Sequence, residues 1–174
     1  ILLPLILCVS SIPIARRLAL LMGLVDTPNT AIHKSHERTT PYGGGIAIFY
    51  ATMTAFLMGL VFPAYPHFPA FLGYYLDAIQ TEQITLLWLM AGAAVIFALG
   101  FIDDWRGLSP LPRFLIQIFV ASLLIYAQPT LRPDLFGSTT LSFIFSVCWI
   151  VTLTNAFNFL DNMDGLSAGI GIIV

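Results

Sequence analysis

The chain is 174 residues long, 58% hydrophobic and 9% charged, with seven Lys and Arg against nine Asp and Glu and a net charge of −2. Soluble domains carry about 25% charged residues, so there is too little polar surface here to cover a water-facing globule. An ordinary soluble domain, a disordered chain and a coiled coil are excluded, and nothing in the charge balance points to a nucleic-acid partner.

Lipid is then the solvent, and a helix needs about 20 mostly apolar residues to cross it. In chain order such runs are Ile1 to Ala15, Gly44 to Phe62, Ile84 to Ile102, Leu111 to Ala127 and Thr140 to Asn155, with a sixth beginning near Gly165. The fold expected is all-α, a polytopic membrane protein with about five to six spans, forming a single integral membrane domain over residues 1–174. The chain begins with Ile1 rather than Met and starts and stops inside apolar runs. This gives the expectation of a fragment of a longer bundle, truncated at both ends. Arg16 and Arg17 follow the first run instead of preceding it, which is the wrong order for a signal peptide. Cys8 and Cys148 lie far apart, each in an apolar run, and are expected to be buried free thiols. The Pro-, Tyr- and Phe-rich stretch from Pro63 to Gln83 reads as an interfacial aromatic belt, with His67 incidental.

Loops that stay in the cytoplasm are enriched in Lys and Arg. Arg16, Arg17, Lys34, Arg38, Arg106 and Arg113 fall on one side and only Arg132 on the other. That side is expected to be cytoplasmic. Six of the nine acids share it: Asp26, Glu37, Asp103, Asp104, Asp161 and Asp164.

Three stretches on this side carry the chemistry. In GLVDTPNTAIHKSHERTTPYGGG, Asp26 to Asn29 is a turn sequence. Gly43, Gly44 and Gly45 then open the second span. Bare backbone N–H groups at a helix start hold anions, and glycine lets the anion approach. The same triplet also permits close helix packing. Lys34 and His36 add donors, though a loop histidine is usually just solvated. In GFIDDWRGLSPLPRFLIQ, Asp103 and Asp104 end the third span. Carboxylates there oppose the helix dipole, but an adjacent pair suits a hard divalent cation. Ser109 and Pro110 read as N-cap and first-turn proline of the next span. Arg113, one turn before Gln117, would either snorkel to headgroups or hold a phosphate. In TNAFNFLDNMDGLSAG, Asn155 and Asn158 are three apart, as are Asp161 and Asp164, and such pairs share a helix face. Either they line a polar cavity, or Asp164 caps the sixth span and the asparagines bond neighbouring helices.

These three stretches, in this order between Gly23 and Gly169, resemble the polyprenyl-phosphate N-acetylhexosamine-1-phosphate transferases, glycosyl transferase family 4. The first stretch resembles the branch that initiates bacterial O-antigen or related surface polysaccharides more than the peptidoglycan branch. The resemblance implies transfer of a sugar 1-phosphate from a UDP-sugar to polyprenyl (undecaprenyl) phosphate, with release of UMP. It implies Mg²⁺, with Mn²⁺ as a substitute, and a multi-pass protein of the bacterial inner membrane whose site faces the cytoplasm. A homodimer is a candidate assembly. Catalytic positions carried over are Asp103, Asp104 and Asp161, with Asp104 and Asp161 as metal ligands. Asp26, Lys34, His36, Gly43, Gly44, Arg113, Asn155, Asn158 and Asp164 are the substrate-binding candidates. Asp103 is the candidate base for the lipid phosphate, with a covalent aspartyl-phosphate route as the alternative. Gly107 stands where the family often has a third Asp, Tyr42 where a basic residue often precedes the glycines, and Ala31 where another often follows the loop's Pro-Asn. The rival reading from another class is a transporter or ion carrier, whose acids would lie near the bilayer midplane and not at helix ends.

Overall fold

The computed structural model describes residues 2–26, 40–41, 43–61, 78–135, 137–160 and 170. Its helices are α1 (Leu2–Leu21), α2 (Gly44–Val61), α3 (Gln83–Arg106), α4 (Pro110–Ala127) and α5 (Thr139–Leu160), with a 3₁₀ turn at Pro129–Leu131. Val25–Asp26 (β1) and Thr40–Pro41 (β2) form a two-residue antiparallel pair, Val25 opposite Pro41 and Asp26 opposite Thr40. All five helices are long and apolar enough to cross a membrane, so the chain is an all-α multi-pass membrane protein. The sixth apolar run and most of the aromatic stretch after α2 lie outside the described residues.

Three spans run further than their apolar stretches, α3 by four residues to Arg106, and α1 and α5 further still. α1 continues past Arg16 and Arg17, both exposed, to a stop built on Gly23. Gly23 has φ +70, its N–H bonds Leu20 O at 3.2 Å, and Leu24 N–H bonds Ala19 O at 2.8 Å. This is a Schellman cap, which requires a left-handed residue and buries the apolar residue after it; Leu24 is buried accordingly. α5 continues past Asn155 and Asn158 to Leu160. Asp26, read as the start of a turn, lies in β1. Pro110 does open α4 and Ser109 does occupy the N-cap, but the Ser109 side chain makes no capping bond.

The chain divides into two compact units, residues 1–90 with 97–107 and residues 91–96 with 108–174. In the first, the buried residues of α1 are Ala15 and Ala19, and those of α2 are Ala47 and Ala51. Small residues at four-residue spacing let two helix backbones approach closely, the usual glue between helices in lipid. Phe49 of α2 stacks on Phe97 of α3, with centroids 4.1 Å apart. A Cβ on Gly59 would meet Ile79 just before α3 at 3.4 Å. The two contacts together make α2 and α3 antiparallel.

In the second unit α4 and α5 are antiparallel around a core of Ala121, Ile125, Val147 and Val151. Each step of four along α4 is matched by four back along α5. The stripe is continued by Gln117, Ser142 and Ser146, all buried. The outer faces carry exposed Phe119, Tyr126, Trp149 and Phe159. Large apolar groups outside with small or polar groups inside is the pattern for a helix pair solvated by lipid. It also explains the cysteines. Both are free thiols, but Cys8 is half-buried and Cys148 exposed, because an apolar run in lipid has no need to hide a thiol in a core.

Candidate functional site

One end of the first unit gathers the C-terminus of α1, the β1–β2 pair, the start of α2 and the end of α3. Gly43 is packed against α1: a Cβ there would lie 2.9 Å from Ala15 O and 3.2 Å from Arg16 N. No side chain fits, so the glycine is required by the helix–helix approach. The Gly43 N–H already bonds Pro41 O at 2.9 Å, so it is not open to an anion. Gly44 is exposed and a Cβ on it would meet nothing within 4 Å.

α3 delivers Asp103, half-buried, and Asp104, exposed, in its last turn. The helix stops at Gly107, φ +63, whose N–H bonds Asp103 O at 2.7 Å. The glycine is thus a left-handed cap, a conformation that Asp and Asn tolerate better than other side-chain-bearing residues. Asp103 stands one turn beyond buried Leu99. Asp104 stands near the level of Phe101, which follows Phe97 in a tilted ring contact at 6.2 Å. Each acid is therefore on a packed helix and not on a loop. Arg106, also in this last turn, lies over the Trp105 ring at 5.3 Å.

One end of the second unit carries Arg113, Gln117, Asn155 and Asn158. Arg113 is half-buried, one turn from the start of α4. Asn155 donates from Nδ2 to Gln117 Oε1 at 2.6 Å and to Val151 O at 2.8 Å. The inter-helix role expected as one reading of the asparagines thus holds for Asn155. Asn158, one turn closer to the helix end, is exposed. At the opposite end Arg132 closes α4, donating from Nε and Nη2 to Ile125 O at 3.0 and 2.9 Å and lying over Phe143 at 5.5 Å. That cap was missed in the sequence, although a cation near a helix C-terminus is its ordinary signal.

Lys34, His36, Asp161 and Asp164 lie outside the described residues, as does the side chain of Asp26. The expected sharing of a metal ion by Asp104 and Asp161 therefore falls outside them too. Among the described residues no group of three or more His, Cys, Asp and Glu stands together. The described donors are the two adjacent carboxylates, hard oxygen ligands of the kind Mg²⁺ takes one or two at a time while keeping its waters.

Paired acids thus end a membrane-spanning helix in the first unit, and a basic residue and amides stand at helix ends in the second. The profile of Glycosyl transferase family 4 matches residues 86–174, just over half of the chain; the chain belongs to this family. It is 32% identical over 170 residues to a probable undecaprenyl-phosphate N-acetylglucosaminyl 1-phosphate transferase of Bacillus subtilis, covering 92% of this chain and 41% of that protein. It is 34% identical over 167 residues to the decaprenyl-phosphate N-acetylglucosaminephosphotransferase of Mycobacterium tuberculosis, covering 91% and 38%. It is 27% identical over 168 residues to the undecaprenyl-phosphate alpha-N-acetylglucosaminyl 1-phosphate transferase of Yersinia pestis, covering 92% and 40%. The chain thus spans about two fifths of the length of these curated relatives. No solved structure matches it.

Proposed function

We propose that the whole protein transfers an N-acetylhexosamine 1-phosphate from a UDP-sugar to polyprenyl phosphate at the cytoplasmic face of the inner membrane, releasing UMP. This would be the first membrane step of a cell-envelope polysaccharide such as O-antigen. The observation that carries the reading is the placement of Asp103 and Asp104 on a capped, packed helix end within the stretch that matches the family. The similar proteins are named for polyprenyl phosphate and N-acetylglucosamine, which makes UDP-GlcNAc the first substrate to try.

The reaction joins two anions. A non-bridging oxygen of the lipid phosphate attacks the phosphorus that bears the sugar. The bond to the UMP oxygen breaks, and UMP leaves with its electron pair. Mg²⁺, when bound, screens the repulsion between the phosphates and stabilises the leaving group. Asp104 would hold it with Asp161. Asp103 would take the proton of the lipid phosphate if that group arrives protonated. Arg113 would orient a phosphate, and Gly44 would offer its backbone N–H to another.

The basic residues within each unit support the cytoplasmic orientation. In the first unit the ends bearing Arg16, Arg17 and Arg106 lie together, and in the second Arg113 and Arg132 stand at opposite ends of α4, in line with the positive-inside rule. Acids at helix ends rather than mid-span argue against the transporter reading.

The test is UMP release by the purified full-length protein, given UDP-GlcNAc or related UDP-sugars, polyprenyl phosphate and Mg²⁺. Release that needs both the lipid and the divalent ion supports the proposal. Release independent of the lipid, or none with any UDP-N-acetylhexosamine, overturns it. Orientation is read separately, with Cys8 and Cys148 replaced and single cysteines placed at Ser109 and Thr130. An impermeant thiol reagent should reach Thr130→Cys from outside intact cells and Ser109→Cys only after lysis; the reverse pattern would invert the topology.

A further inference from the structure

The bond between Gln117 and Asn155 has a direction, and the direction limits what Asn155 can bind. Val151 O is a carbonyl and only accepts, so the Asn155 atom 2.8 Å from it must be the amide nitrogen. That nitrogen has two hydrogens. The second goes to Gln117 Oε1 at 2.6 Å. Both donors of Asn155 are therefore in use within the protein. Turning the amide over would set Oδ1 against the Val151 oxygen, which has no hydrogen to offer. Whatever else meets Asn155 must meet Oδ1.

Gln117 is 5% exposed and sits on the buried stripe of α4. The pair lies about 7 Å along the axis from the end of α5, counted from Leu160 at 1.5 Å per residue. Deeper in the same seam Ala121, Ile125, Val147 and Val151 hold the helices together with apolar contacts, so helix packing alone does not call for an amide pair here. A hydrogen bond between two amides in a membrane interior contributes little to helix association.

We propose that Gln117 is a positioning residue that fixes Asn155 as a hydrogen-bond acceptor. Asn155 Oδ1 then takes an N–H or O–H of the nucleotide sugar, and a phosphate oxygen is refused. This rests on the transferase reading and on Asn155 belonging to its site. The polar residues of the second unit then divide the substrate between them. Arg113 attracts its anionic part, and Asn155 selects a neutral part that carries a donor.

The experiment measures kcat, KM for the UDP-sugar and Tm on the full-length protein, for Gln117→Leu, Gln117→Glu, Asn155→Ala and the double variant Gln117→Leu with Asn155→Ala. Loss of one positioned hydrogen bond corresponds to about tenfold in binding. Gln117→Leu should raise KM by about that factor with kcat nearly unchanged. Gln117→Glu keeps an acceptor for Asn155 and should recover most of the loss. In the Asn155→Ala background Gln117→Leu should add nothing, because there is no amide left to orient. Should Gln117→Leu fail to insert, Gln117→Asn, an amide one methylene too short, takes its place with the same expected KM effect. Equal costs of Gln117→Leu in both backgrounds, or a fall in Tm with KM unmoved, would show a packing role and overturn the proposal alone. No turnover by the wild-type protein would overturn the transferase reading, and this inference with it.

Discussion

In the first unit Ala15 and Ala19 of α1 lie against α2, whose buried residues are Ala47 and Ala51, and Gly43 is in contact with the Ala15 backbone. In the second unit the buried stripe instead holds Gln117, Ser142 and Ser146, with Asn155 bonding across to Gln117. The first seam works by shape, since backbones approach because nothing stands between them. The second works partly by polarity, and so it can present oriented dipoles to a ligand. Without a hydrophobic drive between helices in lipid, both strategies are available. The chain uses the rigid one between α1 and α2 and the polar one beside its candidate substrate-recognition amides.

Four substitutions and one control test that contrast, taken from the largest effect to the smallest. Asp103→Asn should lower UMP release by at least about 100-fold, as loss of a positioned catalytic group does. Insertion and Tm are measured alongside, so that lost release with Tm kept is read as loss of function and not of fold. Asp134→Asn, exposed beyond the far end of α4, serves as the control and should leave release unchanged. Equal damage from both would remove the site from the end of α3. Gly43→Val should cost about 2–3 kcal/mol of stability, since its Cβ has no room against the Ala15 backbone and overpacking a tight contact costs about that much. Unfolding in detergent reads it; a neutral result would mean that the α1–α2 seam is not held by close approach. Arg132→Met should cost about 1 kcal/mol by removing the charged cap of α4, and should leave KM untouched because it acts at the end away from Asn155. Ser146→Ala should change stability by less than about 0.5 kcal/mol. Its hydroxyl bonds Ser142 O within the same helix at 2.8 Å and ties nothing across the seam. A large effect there would mean that polarity in the second unit is diffuse and not centred on Gln117 and Asn155.

The spans were legible wherever an apolar run ended in a residue that also ends a helix. α2 and α4 match their runs to within a residue, and Pro110 marked its helix start. The ends of α1 and α5 were not legible from polarity. Arg16 and Arg17 stay helical because the buried stripe runs on through Ala19, and the true stop is Gly23. Asn155 and Asn158 stay helical because an asparagine inside a helix can bond the carbonyl four residues back, as Asn155 does. Asp103, Asp104 and Arg113 were visible in the sequence as charges next to apolar runs, and all three are at helix ends. The partner of Asn155 was not visible. Residues 117 and 155 meet only through the antiparallel register of two spans, which composition does not encode. The two meanings of the glycine triplet were separable only by geometry, because the 2.9 Å gap at Gly43 depends on where α1 passes.

α3 has 24 residues, about 36 Å at 1.5 Å per residue, against a hydrocarbon thickness of about 30 Å. The helix is therefore longer than the layer it crosses, and Gly107 cuts it off one turn past the first acid. An untilted α3 is long enough to reach into the headgroup layer, with Asp103 and Asp104 in its last turn. A polyprenyl phosphate keeps its tail in the oil and its phosphate at that same height. On the reaction proposed above, the lipid would not need to be lifted from the bilayer, nor the bilayer pinched, for the two to meet. Adding or removing one helical turn before Asp103 would shift the acids by about 5 Å, setting them above or below the phosphate plane while leaving every residue of the site in place.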